Sequence, residues 1–179
     1  AGVTLGAKPV FADIDLNTGN IDPKSIEPLI NTKTKCISVV HLGGWPAEME
    51  EIVKIANKYN LKIIEDCSQA HGTKFNGKLV GTFGDVSCFS FYATKHMTTG
   101  EGGILCTNDK KISNFCKSFR NHGMVDRDTH KLLGYNFRMG EINAAIGRIQ
   151  LKKLKRINNK RVKNSLYCLL YTSDAADEY

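Results

Sequence analysis

The sequence of 179 residues has no C-x-x-C pair, no apolar run near the roughly 20 residues that would span a bilayer, and no repeated or low-complexity segment. Its six cysteines, at 36, 67, 88, 106, 116 and 168, sit mostly inside apolar runs such as Val86-Ser87-Cys88-Phe89. A reduced thiol in such a run acts as a small hydrophobe, so neither a disulfide framework nor a metal site is expected. Residues Ala1 to Lys8 lack the charged-then-apolar layout of a signal peptide, and a cytoplasmic protein with no membrane partner is the expectation. Helix-turn-helix, zinc-finger and aromatic-interleaved RNA motifs are also missing, which places nucleic-acid binding last among the readings of the charge. That charge is basic, with 25 Lys and Arg against 18 Asp and Glu. Much of it lies in Lys152-Lys153-Leu154-Lys155-Arg156 and Lys160-Arg161-Val162-Lys163, on one long helical pattern. A solvated face is the simplest reading, and attraction to a phosphorylated small molecule the next.

The two ends read differently from the middle. Ala1-Gly2-Val3-Thr4-Leu5-Gly6-Ala7 reads like a helix end or loop feeding a strand, and without an initiator Met the native start is expected upstream. From Cys168 the sequence Leu-Leu-Tyr-Thr-Ser-Asp-Ala-Ala-Asp-Glu breaks the Lys/Arg-rich pattern and resembles a translated transposase adapter from a sequencing library. Residues 168–179 are therefore set apart as a non-native tail, leaving 1–167 as part of one domain. Without Asp174, Asp177 and Glu178 the basic excess is sharper.

Between these ends, apolar β-branched runs alternate with helical spacing. Pro9 to Ile14, Cys36 to His41, Leu61 to Glu65, Val86 to Phe91 and Gly103 to Thr107 read as strands, several apolar almost throughout, as in a sheet covered on both faces. Pro46 to Tyr59 carries Met49, Ile52, Val53, Ile55 and Ala56 on one helical stripe, and Asp109 to Asn121 does the same with Ile112, Phe115, Cys116 and Phe119. Asn108-Asp109 suits an N-cap. A shorter helix is predicted from Asp22-Pro23 through Ile30, and a long one from Met139 to about Leu166. The alternation predicts an α/β fold with a mainly parallel central sheet flanked by helices, whose ligands gather at the carboxyl ends of the strands.

Two polar clusters fall at such ends. In Ile63-Ile64-Glu65-Asp66-Cys67-Ser68-Gln69-Ala70-His71-Gly72, a carboxylate arrives at the end of a buried strand, where it could bind Mg²⁺, cap a helix or hold a cofactor nitrogen. In Phe89-Ser90-Phe91-Tyr92-Ala93-Thr94-Lys95-His96-Met97-Thr98-Thr99-Gly100-Glu101-Gly102-Gly103, one lysine sits just beyond an apolar strand, among hydroxyls and before a glycine-rich turn. Such surroundings would desolvate an ammonium, as amine nucleophiles require, although a surface lysine at a strand end fits the cluster taken alone.

In this order the clusters resemble the sugar aminotransferases of the DegT/DnrJ/EryC1/StrS family, with Gly6-Ala7-Lys8-Pro9-Val10-Phe11-Ala12-Asp13-Ile14-Asp15, Val40-His41-Leu42-Gly43-Gly44 and Gly134-Tyr135-Asn136-Phe137-Arg138-Met139 in register. The resemblance implies a partial large domain of a fold-type-I aminotransferase with pyridoxal phosphate as cofactor. It implies that Lys95 is the catalytic amine that holds the cofactor and moves protons, and that Asp66 keeps the ring nitrogen protonated. Ser90 would meet the phosphate, Gln69 would lie beside the ring, and Asn136 would reach the partner subunit's phosphate in a homodimer with shared sites. The implied reaction moves an amino group from L-glutamate to a nucleotide-linked 4-keto-6-deoxyhexose, feeding surface polysaccharides. A cyclitol aminotransferase uses the same cofactor residues. Dehydratase relatives replace the lysine, commonly by histidine, whereas here Lys95 is present and His96 is its neighbour. A non-catalytic regulator would not need Asp66, Ser90 and Lys95 together. The family's upstream phosphate-binding segment and its smaller C-terminal domain are not in these residues, so the fragment alone is expected to bind the cofactor poorly and to lack useful activity. Arg138 is read as a phosphate or substrate contact or a structural ion pair, and His71 as a packed residue.

Overall fold

Parallel pairing sets the frame of this computed structural model, which describes residues 2–176, with side chains described as far as residue 169. Strands β1 (Cys36–Val40), β2 (Lys62–Asp66) and β5 (Val86–Ser90) run parallel, and β6 (Gly103–Cys106) returns antiparallel, in the order β1-β2-β5-β6. Ile37 faces Ile63, Ile64 faces Val86 and Ser90 faces Gly103 across the ladders. A short hairpin, β3 (Lys74–Phe75) with β4 (Lys78–Leu79), lies between β2 and β5 in the chain. The mainly parallel α/β reading therefore holds, with strand limits within a residue of expectation.

Burial alternates along the strands. Ile37, Val39, Ile63 and Glu65 point into the core, while Val40 and Ile64 on the opposite face stay partly open, so the expected two-sided cover is not seen among the described residues. The inner face packs on helix α2 (Met49–Lys58), which buries Met49, Ile52 and Ala56 at i, i+3 and i+7. Burying Met49 and Ile52 contributes roughly 1.5–3 kcal/mol each. Glu50 and Glu51 in its first turn and Lys58 in its last complement the helix dipole.

Two sequence expectations are corrected. Pro9 to Ile14 forms no strand. It has only an isolated bridge from Ile14 to Ile21, and Phe11 is almost wholly exposed, because no neighbouring strand among the described residues takes its backbone bonds. The helix expected through Ile30 is α1 (Pro23–Ile26), capped by Asp22, followed by a 3-10 turn at Glu27–Leu29. Pro28 has no N–H for an i→i−4 bond and its ring crowds the preceding turn. Helix α3 (Lys110–Phe119) begins as predicted, with Asp109 Oδ1 accepting from the N–H groups of Lys111 at 2.6 Å and Ile112 at 3.2 Å. Helix α4 (Glu141–Ala176) runs 36 residues, past the expected end and through the start of the adapter-like tail; Ala1 and residues 177–179 lie outside the described residues. No described helix is long and apolar enough to cross a membrane.

The chain divides into two units. The first holds the chain to Ser90 and Gly103–Arg138, with the sheet, α1, α2 and α3; the second holds Phe91–Gly102 and the chain from Met139, with α4.

At the centre of the first unit lies a buried acid. Glu65 and His41 are both fully buried, and His41 Nε2 is 3.1 Å from Glu65 Oε2. The Ala47 N–H can only donate, so His41 Nδ1 accepts from it at 3.1 Å and Nε2 carries the hydrogen that meets Glu65. The carboxylate also accepts from the backbone N–H groups of Gly81 at 2.6 Å, Phe83 at 2.8 Å and Gly84 at 2.6 Å. Gly81 and Gly84 allow this approach. Gly81 has φ +83°, and a Cβ there would fall 2.7 Å from Phe89 Cζ; at Gly84 it would fall 2.9 Å from the Ile63 carbonyl oxygen. Burial alone would push the Glu65 pKa up, but the bonds from His41, Gly84, Gly81 and Phe83 outweigh it and hold the carboxyl below its ordinary value.

Glu65→Gln puts an NH2 group against these donors and should lower the unfolding free energy by about 3 kcal/mol in urea denaturation. The acid limb should change as well. Because the folded pKa is depressed, the stabilisation from Glu65 is complete above about pH 4.3, the value of an unfolded glutamate, and is lost as the pH falls through the lower folded value. Denaturation followed from pH 6 down to about pH 3 should therefore show a shallower fall for Glu65→Gln than for the wild type.

Candidate functional site

Asp66 is the last residue of β2 and Ser90 the last of β5, so a carboxylate and a hydroxyl stand at the carboxyl ends of neighbouring parallel strands. Asp66 is half-buried, and its Oδ1 accepts from the Ser68 N–H at 2.9 Å. Its second carboxylate oxygen has no hydrogen-bond partner among the described residues. Gln69, on the turn after β2, is exposed, and its Oε1 accepts from the Gly43 N–H at 2.7 Å. Thr73 Oγ1 donates to the Gly44 carbonyl at 2.9 Å. These two bonds tie the turn after β2 to the turn after β1, beside the strand ends.

Lys95 belongs to the second unit, five residues beyond Ser90 in the chain. It is half-buried on a run of tight turns in which its N–H donates to the Tyr92 carbonyl at 3.0 Å and the Thr99 N–H to that of Phe91 at 3.0 Å. Thr98 Oγ1 also donates to the Phe91 carbonyl, at 3.0 Å. Asn143, in the first turn of α4, donates from Nδ2 to the buried Thr99 at its carbonyl, at 2.7 Å. The lysine turn is thereby fastened to the start of the long helix. Beside it, burial, then the charges of Arg161 and Lys95, push the His96 pKa down, so this imidazole is a neutral neighbour.

Asn136 lies on the segment after α3, in an isolated bridge with Asn121. Its partner among the described residues is Arg138, whose Nε donates to Asn136 Oδ1 at 3.0 Å; Arg138 Nη2 is 3.4 Å from His122 Nε2. The ion pair considered for Arg138 does not form among the described residues. Around them Tyr135 and Phe137 stack at 5.1 Å between ring centroids, and Phe119 meets both.

His41, Glu65 and Cys67 place ligand-type atoms within 4.8 Å of one another. A metal held by His41 Nε2 and Glu65 Oε2 would have to displace the bond between them. Burial first, then the charges of Glu65 and Asp66, push the Cys67 thiol far up, away from the thiolate a metal needs. The cluster is structural. Its role was missed in the sequence, although Glu65 shares the period-two face of Ile63, where an acid must find partners inside the core. Thr99 and Asn143 were missed too, since a bond between residues 44 apart leaves no local pattern.

The DegT/DnrJ/EryC1/StrS aminotransferase family matches residues 1–173. GDP-perosamine synthase of Escherichia coli O157:H7 is 47% identical over 165 residues, covering 90% of this chain and 45% of the relative. The dTDP-3-amino-3,6-dideoxy-alpha-D-galactopyranose transaminase of Aneurinibacillus thermoaerophilus is 46% identical over 165 residues, covering 92% and 46%. Among solved structures, Helicobacter pylori PseC, an aminotransferase involved in the biosynthesis of pseudoaminic acid, superposes with a TM-score of 0.83 at 43% identity, covering 86% of this chain and 42% of that one. The chain thus spans about half the length of the curated relatives it matches. Matched in family, in sequence and in fold, it belongs to the DegT/DnrJ/EryC1/StrS aminotransferase family.

Proposed function

We propose that this chain is the cofactor-binding part of a pyridoxal-phosphate-dependent aminotransferase that moves an amino group from L-glutamate to a nucleotide-linked keto sugar, of the 4-keto-6-deoxyhexose kind, for polysaccharide biosynthesis. The observation that carries the reading is Asp66 at the end of β2, with one oxygen held by Ser68 and the other open, and Ser90 at the same end of the neighbouring strand β5. This pair fits the cofactor. A half-buried carboxylate oxygen without a partner suits a ring N–H, and a strand-end hydroxyl suits a phosphate. When bound, pyridoxal phosphate supplies an aldehyde that carries the amino group and a ring that withdraws electrons.

The remaining roles belong to the chain's own groups. Lys95 Nζ would hold the cofactor and would move a proton at the substrate carbon. Asp66 keeps the ring nitrogen protonated, Gln69 sets the ring's orientation from the turn it shares with Gly43, and Asn136 reaches the phosphate bound by the second subunit of a homodimer. Relatives named for GDP-linked and dTDP-linked sugars support a nucleotide sugar as the class of acceptor. The basic surface suits its diphosphate, and a cytoplasmic site is where such precursors would be met.

The test uses these residues within a polypeptide of the relatives' full length. Borohydride reduction in the presence of pyridoxal phosphate should label the peptide containing Lys95, and prior addition of L-glutamate should abolish the label. Lys95→Ala should lose label and turnover together, and Asp66→Ala should lower turnover at least about a hundredfold. Full function retained by Lys95→Ala would overturn the reading in favour of a binding module.

A further inference from the structure

We infer that Arg138 is a positioning residue that fixes which end of the Asn136 amide faces outward, and so makes Asn136 a donor to an anion. The inference rests on the proposed function, in which that anion is the cofactor phosphate. Arg138 Nε lies 3.0 Å from the Asn136 side-chain amide. A guanidinium has donors and no acceptor, so the amide atom it meets must be the carbonyl oxygen. With Oδ1 engaged, the NH2 group is left to a ligand. Asn136 is exposed, and its Nδ2 has no hydrogen-bond partner among the described residues. The reverse orientation would turn a carbonyl oxygen toward a phosphate, acceptor against acceptor.

Arg138 is itself held in place. Its Nη2 is 3.4 Å from His122 Nε2, and His122 sits in the left-handed region at φ 58°, where its N–H donates to the Tyr135 carbonyl at 2.9 Å. The His122 carbonyl is bonded in turn by His130 Nδ1 at 2.9 Å. His122 adjoins the bridge to which Asn136 belongs, since Asn121 pairs with Asn136. The guanidinium therefore spans the two sides of one backbone pairing and keeps the amide in register. A non-glycine residue with positive φ is costly unless its surroundings require it, and here three bonds converge on it.

The test compares affinities for pyridoxal phosphate and for pyridoxal, which lacks the phosphate, in the full-length polypeptide. Arg138→Met keeps a long side chain and removes the donor. Arg138→Gln restores an N–H at the same number of bonds from Cα as Nε, without the charge. Arg138→Met should weaken pyridoxal phosphate about tenfold and leave pyridoxal unchanged, and Arg138→Gln should recover binding to within about twofold of wild type. Asn136→Ala should match Arg138→Met, and the double variant should be no weaker than Asn136→Ala alone. Wild-type affinity in Arg138→Met would overturn the inference. So would Arg138→Gln as weak as Arg138→Met, the sign of a charge acting directly on the phosphate, or an equal loss for pyridoxal, the sign of a damaged fold. A wild-type polypeptide that takes up no pyridoxal phosphate would instead overturn the proposed function, and the inference with it.

Discussion

The carboxylate of Glu65 sits where a side chain of its kind is costly, with no exposure to water, and the first unit is organised around making that position tolerable. Four donors from two other stretches of chain converge on the two oxygens that β2 supplies: His41 after β1, and the backbone of Gly81, Phe83 and Gly84 before β5. Removing any of them leaves charge without compensation in a dry core, so the three stretches are held to one another by the penalty of separating. Asp66 is the next residue along. Because side chains alternate across a strand, the acid that is locked inside and the half-buried acid on the opposite face are consecutive, and fixing the first aims the second.

The candidate residues are supported in different ways. Asp66 and Ser90 are delivered by strand ends, the stiffest positions an α/β sheet offers. Lys95 is delivered by a run of turns, fastened to α4 through Thr99 and Asn143. Gln69 joins the turns after β1 and β2 through Gly43. For the proposed function, a strand end suits a group that would hold a fixed ring nitrogen, and a turn suits an amine that would let go of one partner and take another.

Much of this could be read from the sequence because it depends on local pattern. Val86 to Ser90 is a short stretch carrying Val86, Cys88 and Phe89, and Asp109 precedes a helical stripe; both elements stand where such patterns put them. Pro9 to Ile14 looks the same locally but forms no strand, since pairing is a property of the neighbour and not of the segment. Pro28 was visible and should have shortened its helix at once. The carboxyl-end placement of Asp66 follows from strand polarity. The burial of Glu65, the hold of Arg138 on Asn136 and the anchoring of Thr99 depend on residues 16 to 44 apart or on a turn's geometry, which spacing alone does not encode.

The antiparallel return of β6 has an effect on the segment that carries Lys95. Ser90 and Gly103 are ladder partners, and the Phe91 N–H donates to the Gly102 carbonyl at 2.8 Å, so the excursion that bears the lysine leaves and re-enters at a single rung. A loop closed at its base is insulated: lengthening or recomposing its tip changes the closure entropy only slowly and shifts no strand register. Descendants of such a chain could vary the neighbours of the lysine, His96 among them, while the sheet beneath stayed the same. Diversity beside Lys95 is therefore decoupled from the register of the sheet.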